Sequence, residues 1–456
     1  MNRDALQKLG KEDLIALVLA QGDVIAKLTE RTALLEKRVA DLEAKLGKPP
    51  KTPENSSIPP SQGHKPSRQE RRVAARKGRP GVTRALAENP DDRVEARAEA
   101  CPHCDHGLRD EDQPEFHAYD HIDLPPIRPV VTRIHRHRGV CPCCARPFSA
   151  PVPEGMAPGS PFGPGIVALV LHLHITQAIG FERLVKLMDE VFGVILSEGA
   201  IANMLARAEA PMIVAAEKIA EEVRSAKVVA SDETSARVRG KTWWQWVMHC
   251  STAIYHVITD SRGAKVVTDF LQGATPEVWV ADRYGAQNGH GQERQLCLAH
   301  LLRDAQYAID EGDTVFAPAF KTLLLRAVAI GRRRDNLKDT TLAQYRAKLD
   351  RRLDEILEPT PTTAAGRKLA KGVKKCRNDL FLFVVRRDVP YTNNGSERAL
   401  RPSVIFRKVT GCFRSHWGAR LYAAAVSVIA TGRLRGISAL QAISDVVWPT
   451  LATPSP

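Results

Sequence analysis

No apolar run in this 456-residue chain reaches the ~18 residues that span a bilayer. The best candidate, 166–179, is broken by His172, His174 and Gln177. The opening residues Met1-Asn2-Arg3-Asp4 lack the apolar core of a secretory leader. These two absences set aside membrane and secreted classes and predict a cytoplasmic protein. A disulfide framework is missing too: the nine cysteines are odd in number, and four fall in two C-x2-C pairs. That pattern points to metal binding in a reducing compartment. Acidic charge is in deficit, with 66 Lys+Arg against 52 Asp+Glu and a net charge of +14. The balance predicts an acidic partner, nucleic acid rather than membrane. Hydrophobic residues at 43% and charged residues at 26% are ordinary globular values. At roughly 150 residues per domain the length predicts about three domains.

Residues 14–46 carry a seven-residue repeat. Leu14, Gln21, Leu28, Leu35 and Leu42 form one row, and Val18, Ile25, Thr32, Val39 and Leu46 form the other. β-branched residues in one row with Leu in the other predict a parallel coiled coil over 1–47, hence a homodimer or higher oligomer. An amphipathic helix packed on its own domain is the alternative. Residues 48–90 read as a Pro-rich linker and a basic arm, with eight basic residues and one acid over 65–84. Arg71, Arg72, Arg76, Lys77 and Arg79 are the candidate phosphate contacts there. Lys77-Gly78-Arg79-Pro80 also resembles a minor-groove hook.

Over 91–155, Cys101, Cys104, Cys141 and Cys144 can supply the four thiolates that tetrahedral Zn2+ prefers. Four thiolates leave no open position, so the zinc is expected to be structural. Cys143, His103, His106, His135 and His137 are alternative ligands. Residues 160–224 predict helices at 166–178, 181–192 and 197–208, the last capped by Ser197. The Gly193-Val194 turn resembles helix-turn-helix spacing, with Asn203 and Arg207 as outward polar groups. A supporting helical bundle is the alternative.

From residue 227 the pattern changes to strands. Residues 228–230, 243–249 and 253–259 read as three strands, 263–271 as a helix and 278–281 as a fourth strand, with 296–298 as the last. This order is that of the ribonuclease-H-like fold. Asp232 and Asp282 directly follow apolar strand runs, so adjacent parallel strands would set their carboxylates side by side. Such a pair repels unless a hard cation such as Mg2+ lies between its members. Glu397 is the strongest candidate for a third acid, although Asn394-x-x-Glu397 is also a capping box.

The stretch Thr392-Asn393-Asn394-Gly395-Ser396-Glu397-Arg398-Ala399-Leu400-Arg401-Pro402, followed by Arg407-Lys408, resembles the signature of insertion sequence 66 family transposases. Asn55-Ser56-Ser57-Ile58-Pro59-Pro60-Ser61, the paired cysteines, Ser231-Asp232-Glu233-Thr234 and Cys297-Leu298-Ala299-His300-Leu301-Leu302-Arg303-Asp304 match in order, so the resemblance covers nearly the whole chain. A departure is the absence of an extended Gly-rich repeat around 78–81. The resemblance implies that Asp232, Asp282 and Glu397 are a DDE triad holding two Mg2+ (or Mn2+) ions. It implies cleavage at terminal inverted repeats to free 3′-OH ends, then joining of those ends to target DNA. The implied partners are double-stranded DNA, as element ends and target, and small accessory proteins of the same element. The implied location is the nucleoid of a bacterial cytoplasm.

Arg398, Arg401, Arg407 and Lys408 are candidate DNA contacts beside Glu397, with an Arg401–Glu397 ion pair as the alternative for Arg401. Cys297 and His300 read as buttressing groups, and Asn393 and Asn394 as supporting ones. Between 321 and 387 stand eighteen basic and seven acidic residues, which predicts a helical insertion serving as a track for DNA phosphates. The expected whole is multidomain. A coiled coil (1–47), linker and arm (48–90), zinc module (91–155) and helical DNA-binding region (160–224) precede an α/β ribonuclease-H-like catalytic domain (225–299 and 388–435). That domain carries the helical insertion (300–387), and a tail follows (436–456). Two competing readings are an inactive zinc-containing DNA-binding regulator and a structure-specific nuclease of the same fold.

Overall fold

The computed structural model describes residues 10–46, 49–56, 84–156 and 158–452. The basic-arm residues Arg71, Arg72, Arg76, Lys77 and Arg79 lie outside them. The chain divides into two compact units, Met1–His64 with Glu209–Ala442, and Lys65–Ala208 with Ile443–Pro456. The expected helical region 160–224 is therefore split between units, inside one long helix. Among the described residues no helix is long and apolar enough to cross a membrane.

The first unit opens with helix α1 (Lys11–Leu46). Its heptad positions Ile25, Leu28, Leu35 and Val39 are each more than half exposed. The side chains of Leu14, Val18, Leu42 and Leu46 lie outside the described ones. The linker is folded where it is described. Asn55 is buried, its side-chain oxygen accepts from Thr52 N, and its Nδ2 donates to Pro50 O and to Asp310.

The second unit holds the cysteine pairs and a short hairpin, β1 (Arg138–Val140) and β2 (Pro147–Ser149). Next come α2 (Pro164–Leu171), continued by a π-turn over His172–Thr176, then α3 (Phe181–Phe192) and the start of α4 (Glu198–Arg224). Gly193 ends α3 at φ 62, where a residue without Cβ costs least. Ser197 Oγ accepts from Ala200 N, as an N-cap does. Arg207, read as an outward polar group, donates to Ser160. The third helix runs past its expected end because Pro211 does not break it.

The rest of α4 leads into a five-stranded sheet built from β3 (Val228–Val238), β4 (Lys241–His249), β5 (Ile254–Thr259), β6 (Val278–Ala281) and β7 (Glu293–Leu296). The spatial order is β5-β4-β3-β6-β7, with β4 antiparallel to β3 and β5, and with β6 and β7 running parallel to β3. A two-residue turn of Arg239 and Gly240, both at positive φ, closes the β3–β4 hairpin. Helix α5 (Lys265–Leu271) makes the crossover to β6. β6 is buried at every position, as a central parallel strand must be.

β3 runs eight residues beyond the apolar stretch that announced it, paired with β4 throughout. The last strand is Glu293–Leu296 rather than 296–298. Its polar residues hid it: Gln295 is buried and bonded to the Leu296 and Leu380 carbonyls and the Phe383 N–H. Cys297 then serves as the N-cap of α6 (Leu298–Asp310).

Four further helices follow, α7 (Phe316–Arg333), α8 (Asp339–Leu357), α9 (Ala364–Lys375) and the short α10 (Leu382–Val385). They share one core with the sheet: Val278, Val280 and Leu296 pack in the same cluster as Phe316, Phe320, Leu353 and Phe383. The insertion is therefore part of the same interior as the sheet. The chain returns to the sheet through α11 (Asn394–Thr410) and α12 (His416–Leu434), and the expected tail holds α13 (Ala439–Ala452). α12 covers the edge strand β5. Its Ser427 and Thr431 hydroxyls accept from the backbone N–H groups of His256 and Ile254, which would otherwise be an open edge.

Candidate active site

The parallel ladder pairs Ala230 with Val280. Two residues on, Asp232, inside β3, therefore stands level with Asp282, just past the end of β6. Burial raises the Asp232 carboxyl to about 7, helped by the negative charges of Asp282 and Glu233. The pairing Ala281↔Leu296 sets the start of α6 beside Asp282. One turn into that helix, His300 Nε2 lies 3.9 Å from Glu397 Oε1, and Arg303 Nη1 lies 3.8 Å from the same oxygen. Burial works against a charged His300, yet Cys297 and the carboxylates of Asp282 and Glu397 raise it to about 9. All three acids thus surround one histidine. Among the described residues, no three His, Cys, Asp or Glu side chains gather closely enough to hold one metal ion.

Asn393 locks these elements together. It is 1% exposed. Its Nδ2 donates to Ser231 O at 2.7 Å, its Oδ1 accepts from Ser396 at 2.6 Å, and its N–H meets Cys297 Sγ at 3.1 Å. One side chain joins β3, the start of α11 and the cap of α6. The helix begins at Asn394 with Asn393 as its cap, one position before the capping box expected from sequence. That shift leaves Glu397 free to face His300 and Arg303. Gly395 permits the approach, since a Cβ there would meet His249 Cε1 at 2.7 Å.

A second brace was not anticipated from the sequence. Glu233, whose side chain is 2% exposed, accepts from Arg262 Nε and Nη2 and from Gln287 Nε2. The Arg262 guanidinium lies between the rings of Trp244, 4.4 Å away, and Tyr284, 4.1 Å away. Tyr284 N in turn donates to Asp282 Oδ1, and its hydroxyl to Arg262 O. The brace connects the residues flanking both aspartates. Its only sequence signal is the acid next to Asp232, because Arg262 and Tyr284 are remote along the chain.

The candidate DNA contacts on α11 divide. Arg398, Arg401 and Lys408 are exposed, and Arg401 makes no ion pair with Glu397. Arg407 is half-buried and donates to Thr234 Oγ1 and Ser235 O, so it ties α11 to β3. Asn394 is exposed. Arg303 also borders a cavity of about 440 Å3 shared with Thr52 and Glu54 of the folded linker.

The cysteine pairs form two matching turns. Cys101 N donates to His106 O and Asp105 N to Cys101 O, and Cys141 N donates to Arg146 O and Ala145 N to Cys141 O. Asp105 and Ala145 occupy the same left-handed position at φ 60 and 53. Backbone N–H groups of the turns hold both leading thiols, Cys101 and Cys141, below the usual range. All four thiols are free, and Cys101, Cys104, Cys141 and Cys144 are not brought together as one tetrahedral set.

No curated protein matches the chain. A model of the "Transposase IS66 family" matches residues 159–421, which contain the sheet, both aspartates and Glu397. The chain belongs to the IS66 transposase family.

Proposed function

We propose that this transposase cleaves the ends of its element to free a 3′-OH and joins that end to target DNA, with Asp232, Asp282 and Glu397 as the ligands of divalent cations. The carrying observation is the parallel register, Ala230 level with Val280, which brings Asp232 inside β3 beside Asp282 just past the end of β6. The strand order, antiparallel on one side of β3 and parallel on the other, supports a ribonuclease-H-like domain. The donors fit a hard cation: all are carboxylate oxygens, and Asp232 is pushed to about 7 beside two more acids, so negative charge there is in excess. When bound, Mg2+ or Mn2+ would stabilise charge on the phosphate and lower the pKa of the attacking hydroxyl.

The chain's own contribution is placement. Asn393 fixes Glu397 relative to Ser231, and the Glu233–Arg262–Tyr284 brace fixes the loop of Asp282. His300, raised to about 9, and Arg303 offer positive donors next to Glu397, where a scissile phosphate would bring charge. Arg398, Arg401 and Lys408 would hold DNA along α11. The matching Cys turns with depressed thiols support a structural zinc that gathers both pairs. The exposed heptad face of α1 supports a homodimer.

The test is a strand-transfer assay with a DNA bearing the element's terminal inverted repeats and Mg2+. Joined products that vanish in Asp232→Ala, with end binding kept, are expected. Cleavage retained by Asp232→Ala would refute the assignment. Cleavage without joining would instead favour a structure-specific nuclease.

A further inference from the structure

Several cations of 321–387 are occupied within the fold. Arg334 donates to the carbonyls of Phe383, Arg386 and Val389, Arg346 pairs with Asp350, Arg352 with Glu355 and Arg387 with Asp339. Helix α9 differs. It carries Arg367, Lys368, Lys371, Lys374 and Lys375 and no acidic residue. Arg367 is tied to the carbonyls of Pro361 and Thr362. The four lysines are exposed, and none has a carboxylate partner among the described residues. Lys368, Lys371 and Lys375 follow an i, i+3, i+7 spacing, so they share one edge of the helix.

The placement of this helix is specific. At its start, Thr363 caps Gly366 N, Ala365 N donates to Glu311, and Gly366 sits where a Cβ would meet Asp313 Oδ2 at 2.6 Å. Near its end, a Cβ at Gly372 would meet Arg283 Nη1 at 2.8 Å. Arg283 directly follows Asp282 and is held by Asp304 of α6. Cys376, one turn after Gly372, lies within electrostatic reach of Arg283 and Arg294, and Arg294 donates to Asp282 O at 2.6 Å. Gly372, unfavourable inside a helix, thus lets α9 approach the loop of Asp282, while Gly366 lets its start pack on Asp313. The lysine edge borders the edge on which Gly372 meets Arg283.

We infer that the Lys368–Lys371–Lys375 edge of α9 binds the phosphate backbone of double-stranded DNA and leads it to Asp282. The inference rests on the proposed DNA chemistry and assigns the surface that chemistry uses. Seven residues of helix extend about 10 Å, the axial length of roughly three phosphates of one strand. The surface carries no donor set that discriminates bases, so it positions DNA irrespective of sequence.

The test uses the full chain and a short duplex without element ends, with binding measured over a range of salt in EDTA. Lys368→Gln/Lys371→Gln/Lys375→Gln should lower the slope of log affinity against log salt by about 3, near 0.9 for each phosphate no longer neutralised. Arg332→Gln/Arg333→Gln/Lys338→Gln removes the same charge from elsewhere in the insertion and should lower it by less than about 1. Unchanged melting temperatures verify that both variants are folded. An unchanged slope in the α9 variant, or an equal fall in both, overturns the inference. Asp232→Asn is assayed alongside: if it still cleaves, the proposed chemistry fails, whatever the slopes show.

Discussion

Asp232 and Asp282 stand together because parallel strands hold them in register above a core that includes Val280, Leu296 and Phe383. Cys101 and Cys141 sit on matching turns of a segment, 84–156, in which no described side chain is buried. Both are sets of metal-type donors, but only one has a core beneath it. Core burial can hold like charges near each other and offset the cost, which appears as the raised Asp232 carboxyl. A module without a core has to draw the energy that gathers its donors from the ligand.

Metal should separate the two regions most visibly. Zinc binding should order 84–156 with a free energy of about 10 kcal/mol or more, read as protection from proteolysis that a chelator reverses. The same chelator should leave the melting of the sheet unit unchanged. Protection of 84–156 without zinc would remove the contrast. Thiol titration probes the same difference: without metal, Cys101, Cys104, Cys141 and Cys144 should react at once, and the buried Cys297 should not.

The sheet unit should answer to acid. His256, fully enclosed under α12, is depressed to about 3 by burial, with His249 adding to the effect. Below about 6.5 the unfolded chain takes up a proton that the folded one refuses. Stability contributed by neutral His256 is therefore present above that pH and lost towards 3. Asp232, raised to about 7, acts with the opposite sign, so the difference between wild type and His256→Gln is the quantity to read. It should fall by about 1.4 kcal/mol per pH unit below 6.5. A difference constant with pH would contradict the burial account.

Smaller effects separate the Glu233–Arg262–Tyr284 brace from the surface. Arg262→Ala should cost about 2 kcal/mol in urea unfolding, less than the ~3–5 of a fully buried pair because Arg262 is 41% exposed. Arg352→Ala, at an exposed pair with Glu355, should stay within about 0.5 kcal/mol. Equal costs would mean that the brace does not constrain Glu233.

Legibility followed the same division. β6 and the Asp282 that follows it were plain in sequence because a buried parallel strand is a continuous apolar run. β7 was displaced because Gln295 finds polar partners inside the fold and Arg294 donates to Asp282 O, which periodicity does not register. Glu397 was located, but its partner Arg303 was not singled out, since the contact spans almost a hundred residues. The Arg262 sandwich left no local trace at all. The excess charge of 321–387 was evident, but the long-range contacts that occupy part of it, Arg387 with Asp339 and Arg334 with the carbonyls of Phe383 and Val389, were not.

The most direct test of the central claim replaces each acid by its neutral isostere: Asp232→Asn, Asp282→Asn and Glu397→Gln, each assayed for cleavage and for DNA binding with Mn2+ or Mg2+. Each should lose cleavage by at least ~10³-fold, the upper scale of losing one group that stabilises transition-state charge, while binding DNA as wild type does. Near-wild-type cleavage by any one of the three would contradict the triad.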